Sequence, residues 1–380
     1  MSEKLKLGQL AEIVSGSTPR TNVKEYWDGN ILWITPAEIQ EDDYYILDTQ
    51  RKITQLAVEK TNLRILPKGT VLLSSRAPIG KVAICDNEMY CNQGFKNIIC
   101  SEKLNNRYVY YYLKYNVEYI KSLGRGATFK EISKGIVENL EIPFIDKQKQ
   151  IEVANKLDKI TEIIKIRKEQ IKYFEEIIKS QFVEMFENKN IEKKTLQDIT
   201  IKITDGSHNP PNGIDENVGY MMLSSQNIVN DKINYENARY LSKEDFEKEN
   251  ARTDLKNGDV LLTIVGTVGR TAIISNEENI TLQRSVAVLK PIEEIKSEYL
   301  VGALKSDDVV RQLNKGAKGV AQKGIYLNDL KKLTISVPPI ELQNKFADFV
   351  KQIDKQKFEI ENSLKEMQEL YESLMEKYFG

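Results

Sequence analysis

The sequence predicts an α+β protein: two similar mixed α/β domains, each followed by a long helix, with the two helices pairing as an antiparallel coiled coil. Three observations predict it. The chain repeats itself once, strand-like runs fill the first part of each repeat, and a narrow apolar stripe fills the second part. With 380 residues the chain also exceeds what one core usually supports, about 250 residues.

The repeat is clearest where Leu66-Pro-Lys-Gly-Thr-Val-Leu-Leu matches Leu255-Lys-Asn-Gly-Asp-Val-Leu-Leu. The match runs without a gap to Gly80-Lys-Val-Ala-Ile against Gly269-Arg-Thr-Ala-Ile, with eight identities in 19 positions. Around it, Gly16-Ser17 aligns with Gly206-Ser207, Ile39 with Ile228, Gln93 with Gln283 and Gly126-Ala127 with Gly316-Ala317. A period near 190 residues is a domain duplication, far longer than the unit of a solenoid.

The elements follow in order. Residues 1–144 hold ILWITP, TVLLSS, KVAIC and NIIC, and residues 191–338 hold YMMLSS, DVLLTIV, TAIIS and SVAVLK. Such Val/Ile/Leu/Thr runs, bounded by Gly, Pro and Asn, are strand signals. Short helical stretches intervene at 108–119 and 298–314. Residues 145–190 and 339–380 lack internal Gly and Pro after their first turns, and their apolar residues step by four and three. Leu157, Ile164, Ile171 and Ile178 mark the first seam; Ile353, Ile360, Met367 and Leu374 mark the second. That spacing averages 3.5 residues, the period of a coiled-coil seam. Lys357 interrupts the second stripe. Each seam is too narrow and too long for its own domain to cover, so each helix is expected to bury it on the other. Antiparallel pairing would then put the two domains at opposite ends of a rod.

Catalytic chemistry is scarce. The one histidine, His208, sits in the turn-rich run ITDGSHNPPNG with no partner set by spacing. Three cysteines, Cys85, Cys91 and Cys100, do not make a zinc ligand set with a histidine more than 100 residues away, so no metal site is expected. No GxxxxGK[ST] loop occurs. Asn209-Pro-Pro-Asn212 has an Asn where the methyltransferase tetrad needs an aromatic, and reads as a turn. No run of 18 apolar residues and no signal-peptide core is present, and the sparse cysteines fit a reducing cytosol. The chain is expected to be cytoplasmic and not itself a catalyst.

Net charge is −1, so any phosphate-binding face is a local patch. Residues 1–144 carry 19 basic and 17 acidic side chains, whereas 339–380 is net −3. In the first domain the candidate DNA contacts are Ser17, Thr18, Arg20 and Thr35; Ser74, Ser75 and Arg76; Phe95 and Lys96; and Arg125, Thr128 and Lys130. In the second they are Ser207 and His208; Ser224, Ser225 and Gln226; Arg270, Gln283 and Arg284; and Lys315 and Lys318. Small residues allow close backbone approach, hydroxyls and backbone N–H groups bind phosphate oxygens, and arginine reads guanine edges bidentately. Their recurrence at corresponding places in both copies is the argument for them.

At these motifs the chain resembles the specificity (S) subunit of type I restriction-modification systems. The resemblance rests on LGQLAEIVSGSTPR, Ile34-Thr-Pro-Ala-Glu-Ile39, Leu72-Leu-Ser-Ser-Arg-Ala-Pro-Ile-Gly80, Asn92-Gln-Gly-Phe-Lys96, Ile203-Thr-Asp-Gly-Ser-His208 and VPPIELQNKF, and spans essentially the whole chain. It implies two target recognition domains, each reading half of a split double-stranded DNA site, with the helices setting the gap. It further implies two docked methyltransferase subunits and a motor-nuclease subunit, with S-adenosylmethionine, ATP and magnesium held by those partners. The copies diverge, as at Thr263-Ile-Val-Gly266 against Ser74-Ser-Arg-Ala77, so an asymmetric target is expected.

Overall fold

The computed structural model describes residues 3–126, 130–187, 189–215, 219–316 and 324–380. Its contacts fall into two compact units, Met1–Lys168 with Asn362–Gly380, and Glu169–Glu361.

The first unit is built on a five-stranded sheet in the order Ala11–Ser15, Lys96–Cys100, Val71–Leu73, Val82–Cys85 and Tyr45–Ile46, antiparallel except for its last pair. A second sheet sets Trp27–Ile34 between Lys52–Ile53 and Tyr90–Cys91, the latter pairing parallel. Apolar residues fill both faces of the central strands: Val71, Leu72, Leu73, Ala83 and Ile84 are buried. This explains why these strands read as continuous apolar runs rather than alternating ones.

The second unit repeats the plan. Thr200–Asp205, Val286–Pro291, Val260–Thr263 and Thr271–Ile273 form the larger sheet; Arg239–Tyr240, Met221–Leu223 and Ile280–Leu282 form the smaller, again with one parallel pair. In both units a two-stranded ladder joins the beginning of the domain to the residues just before the long helix: Lys4–Lys6 with Glu141–Pro143, and Lys193–Thr195 with Thr334–Ser336. Each long helix therefore starts where the two ends of its domain meet.

The long helices are Lys147–Phe186 and Ile340–Phe379, 40 residues each. A buried glutamine ties the first turn of each to its own domain. Gln150 accepts from the Asn105 N–H at 2.8 Å and donates to the carbonyls of Lys103 and Ile145 at 3.1 and 2.8 Å. Gln343 does the same with the Lys296 N–H and the carbonyls of Glu294 and Pro338. Tyrosine hydroxyls repeat the logic: Tyr108 donates to the Pro143 carbonyl and Tyr299 to that of Ser336.

Within the first unit Val153 and Leu157, early in one helix, share a core with Met375 and Phe379, late in the other. Within the second unit Phe182 and Phe186 pack on Phe346, with ring centroids 5.5 and 5.6 Å apart. Start meets end in both, so the helices run antiparallel, as expected for two seams that each leave their own domain. Leu157 and Ile353 are buried, while Ile164, Ile171, Ile178, Ile360, Met367 and Leu374 are half-buried, since two helices alone cannot enclose a seam. The apolar register departs from expectation near the end of the first helix. There Phe182 and Phe186 take the buried positions because that stretch packs on Tyr299 of the second domain as well as on the partner helix. Lys357, the break in the stripe, is buried with its ammonium 3.0 Å from Glu175. Among the described residues no helix is long and apolar enough to cross a membrane.

Candidate nucleic-acid interface

In the first domain the backbone at Gly16 crosses directly over the strand Tyr90–Cys91. Ser17 donates its N–H to the Cys91 carbonyl at 2.9 Å, and a Cβ on Gly16 would lie 1.9 Å from the Asn92 oxygen. Only glycine permits that crossing. Two tryptophans then fix the segment that follows. Trp33 Nε1 donates to the Ser17 carbonyl at 3.2 Å and Trp27 Nε1 to the Arg20 carbonyl at 3.3 Å, the rings meeting edge-on at 5.0 Å. The Arg51 guanidinium lies 3.9 Å over Trp27. The outcome is a stiff ledge on which the Thr18 hydroxyl donates to Gln93 Oε1 and Arg20 stands exposed. Thr35 spends its hydroxyl on Glu38 at 3.0 Å.

A second group surrounds Glu131. Its carboxylate meets Arg76 Nε at 2.9 Å and Lys96 Nζ at 3.2 Å. Partial burial pulls that carboxyl upward, but the two cations outweigh it and hold it below the usual carboxylate range. Arg125 pairs through its backbone with Glu131 and, like Lys130, points an exposed side chain outward. Four of the expected contacts are corrected by burial. Ser74 is fully buried, donating to the Pro78 carbonyl at 2.7 Å and accepting the Lys81 N–H at 2.8 Å, so it pins the turn between two strands. Ser75 and Phe95 have no exposed surface, and Lys96 is nearly buried with its charge spent on Glu131. All four are framework beneath the surface. Thr128 lies outside the described residues.

The second domain reproduces the frame with different side chains. Ser207 N–H donates to the Leu282 carbonyl at 2.8 Å, and a Cβ on Gly206 would stand 2.0 Å from that oxygen. Ser207 itself is buried, a further correction. Thr263 takes the place of Ser74, donating to the Thr267 carbonyl and accepting the Arg270 N–H. His208 Nε2 lies 2.9 Å from the buried Asp205 carboxylate, which also holds Arg252. Ser224 caps a short turn through Asn227, Ser225 N–H donates to Ser285 Oγ at 3.0 Å, and Gln226 is exposed. Arg270 is exposed at its surface but reaches the Ile228 carbonyl at 3.4 Å. Lys315 is exposed at the end of Asp307–Gly316, and Lys318 lies outside the described residues.

The hydrogen bonds also correct the alignment of the two copies. Ser17→Cys91 corresponds to Ser207→Leu282, Asn92→Ile34 to Gln283→Leu223, and Ser75→Gly94 to Ile264→Ser285. Gln283, half-buried, is thus the counterpart of Asn92, and the exposed Arg284 is the counterpart of Gln93. Sequence matching slid by one residue because the glutamines attract each other. Sequence reasoning also missed Trp27, Trp33 and Lys81, whose ammonium bonds the carbonyls of Pro36 and Ile39. The tryptophans carried a signal: the chain has two, six residues apart, just after GSTPR.

A family model described as the type I restriction modification DNA specificity domain matches residues 2–176 and again 188–370. The chain belongs to this family. Each match takes in one globular copy and most of the long helix after it, so each copy is a DNA specificity domain. The type I restriction enzyme MjaIX specificity subunit of Methanocaldococcus jannaschii is 39% identical over 54% of this chain, and the alignment spans about half, 52%, of that relative's length. The MjaVIII specificity subunit of the same organism is 24% identical over 97% of this chain and 91% of its own. Among solved structures, the S subunit of a type I restriction-modification system from M. genitalium superposes with a TM-score of 0.60 at 16% identity, covering 100% of this chain and 96% of that one. That likeness establishes the shared fold of the specificity domains.

Proposed function

We propose that this chain is the non-catalytic DNA-recognition subunit of a type I restriction-modification complex, working in the cytoplasm. Each domain reads one half of a bipartite, asymmetric double-stranded site, and the helix pair sets the gap. The observation that carries this reading is one hydrogen-bonded frame built twice, with different exposed side chains at its tip. A repeated frame docks on DNA in a repeated way, and unlike tips select unlike bases.

The helices also offer a partner surface. On Lys147–Phe186, Ile163 and Ile166 in the first unit are exposed apolar residues, and so are Tyr173 and Ile177 in the second, each 38–58% accessible. Spacings of three and of four put each pair on one helix face, the form a helical partner recognises. Two methyltransferase subunits docked there would bring S-adenosylmethionine, and a motor-nuclease subunit would bring ATP and magnesium for cleavage.

The test is to map methylated bases across the host genome with and without this gene. Loss of one bipartite, asymmetric motif on deletion is the expected result; an unchanged methylome overturns the proposal. Extending both helices by one matched turn should lengthen the gap within the motif, and an unchanged gap removes the spacer role.

A further inference from the structure

On the reading just given, we infer that Gln93 and Arg284 are equivalent base-reading residues, Gln93 selecting adenine in one half-site and Arg284 selecting guanine in the other.

Both stand at the tip of the same pedestal. The residue two before each, Cys91 or Leu282, accepts an N–H from the crossing segment, and the residue just before it bonds the neighbouring strand at Ile34 or Leu223. The residue just after it, Gly94 or Ser285, accepts from the segment behind, at Ser75 or Ile264. Six backbone bonds, three per copy and all between 2.7 and 3.1 Å, hold the two tips in corresponding places. The obligatory glycines at 16 and 206 make the crossing equally tight in both. A frame this closely repeated beneath two unlike exposed side chains is what selection of different bases by one docking mode requires.

The chemistry of each tip follows from its surroundings. In the first domain the Thr18 hydroxyl donates to Gln93 Oε1, which fixes the orientation of the amide. Gln93 is exposed, and the second lone pair of Oε1 and the Nε2 donor are left unspent among the described residues. An acceptor beside a donor is the complement of adenine N6–H and N7 in the major groove. In the second domain His208 occupies the position of Thr18 but is turned to Asp205, leaving the Arg284 side chain without a partner among the described residues. A free guanidinium is the complement of guanine O6 and N7. Among the other exposed arginines of the first domain, Arg76 is held by Glu131 and Arg64 by Glu12.

The experiment places Gln93→Arg, Arg284→Gln, Gln93→Ala and Arg284→Ala in the host gene and maps the methylated motif for each. Gln93→Arg should convert a single adenine of one half-site to guanine, and Arg284→Gln a single guanine of the other half to adenine. Each alanine variant should relax only that position, with preference falling roughly 5- to 150-fold. Alanine variants that keep full discrimination overturn the inference while leaving the recognition role intact. So do changes spread over several positions, and so does complete loss of methylation from a variant that melts like the wild type. If deleting the gene leaves every motif in place, the proposed function fails and this inference falls with it.

Discussion

Gln150 gives the sharpest test of how the helices are attached. Its side chain is fully buried and makes three hydrogen bonds to backbone groups of the domain and the helix start. Gln150→Ala strands the Asn105 N–H and two carbonyls and vacates the space of an amide. One unsatisfied donor costs about 1–3 kcal/mol. The carbonyls are part-buried and recover some bonding from water, so with the cavity the total comes to about 3 kcal/mol. At a urea slope of about 2 kcal/mol/M this lowers the midpoint by about 1.5 M. The reporter is built in: Trp27 and Trp33, the only tryptophans of the chain, both lie in the first unit, so indole fluorescence follows that unit. Gln368→Ala, exposed on the second helix, is the control and should stay within about 0.5 kcal/mol of wild type. A Gln150→Ala fluorescence midpoint as close to wild type as the control would refute the clamp.

Three further outcomes are expected. Glu131→Gln leaves Lys96 buried beside a neutral amide and should cost about 2 kcal/mol at pH 7. Because the folded carboxyl is held below its usual value, its contribution is present above the unfolded pKa and lost as pH falls through the folded one. The gap between variant and wild type should therefore close on acidification below about pH 4.5, and a gap constant down to pH 3 would contradict the ion pair. Gly206→Ala drives a methyl into the Leu282 carbonyl, backbone against backbone, and should destabilise the second unit by about 3 kcal/mol or more in far-UV circular dichroism melts; a neutral result would show that the crossing is loose. Lys357→Met replaces a buried ammonium whose partner Glu175 is half-exposed and can rehydrate, so stability should hold or rise by about 1 kcal/mol, and a loss larger than that in urea unfolding would mean the ion pair is a net stabiliser.

The architecture was legible because its signals are periodic. Duplication shows as aligned strings from Leu66 and Leu255, and the seams show as stepped Ile and Leu from 157 and 353. The interface was legible only in outline. Ser74, Ser75 and Phe95 looked like surface because they adjoin Arg76 and Lys96, yet a hydroxyl that closes a turn and one that meets a phosphate are the same letter. What separates them is the carbonyl four residues on, which Ser74 and Thr263 both find. Arg284 was among the expected contacts, but its equivalence with Gln93 escaped for another reason. Gln93 and Arg284 share a place in space, not a residue type, and only the hydrogen-bonded register reveals it.

The division of each unit between distant stretches of chain bears on how the protein is made. Phe379 packs its ring at a tilt on Tyr108, centroids 5.0 Å apart, and with Met375 completes the core around Leu157, yet all of Glu169–Glu361 must be translated in between. At about 5–20 residues per second a ribosome needs roughly 10–40 s for that stretch. Through that interval the first unit stands with tyrosines uncovered, and the closure it awaits carries an entropic cost of about 4–5 kcal/mol. A nascent chain therefore closes the core around Leu157 only after all of its second unit has been synthesised.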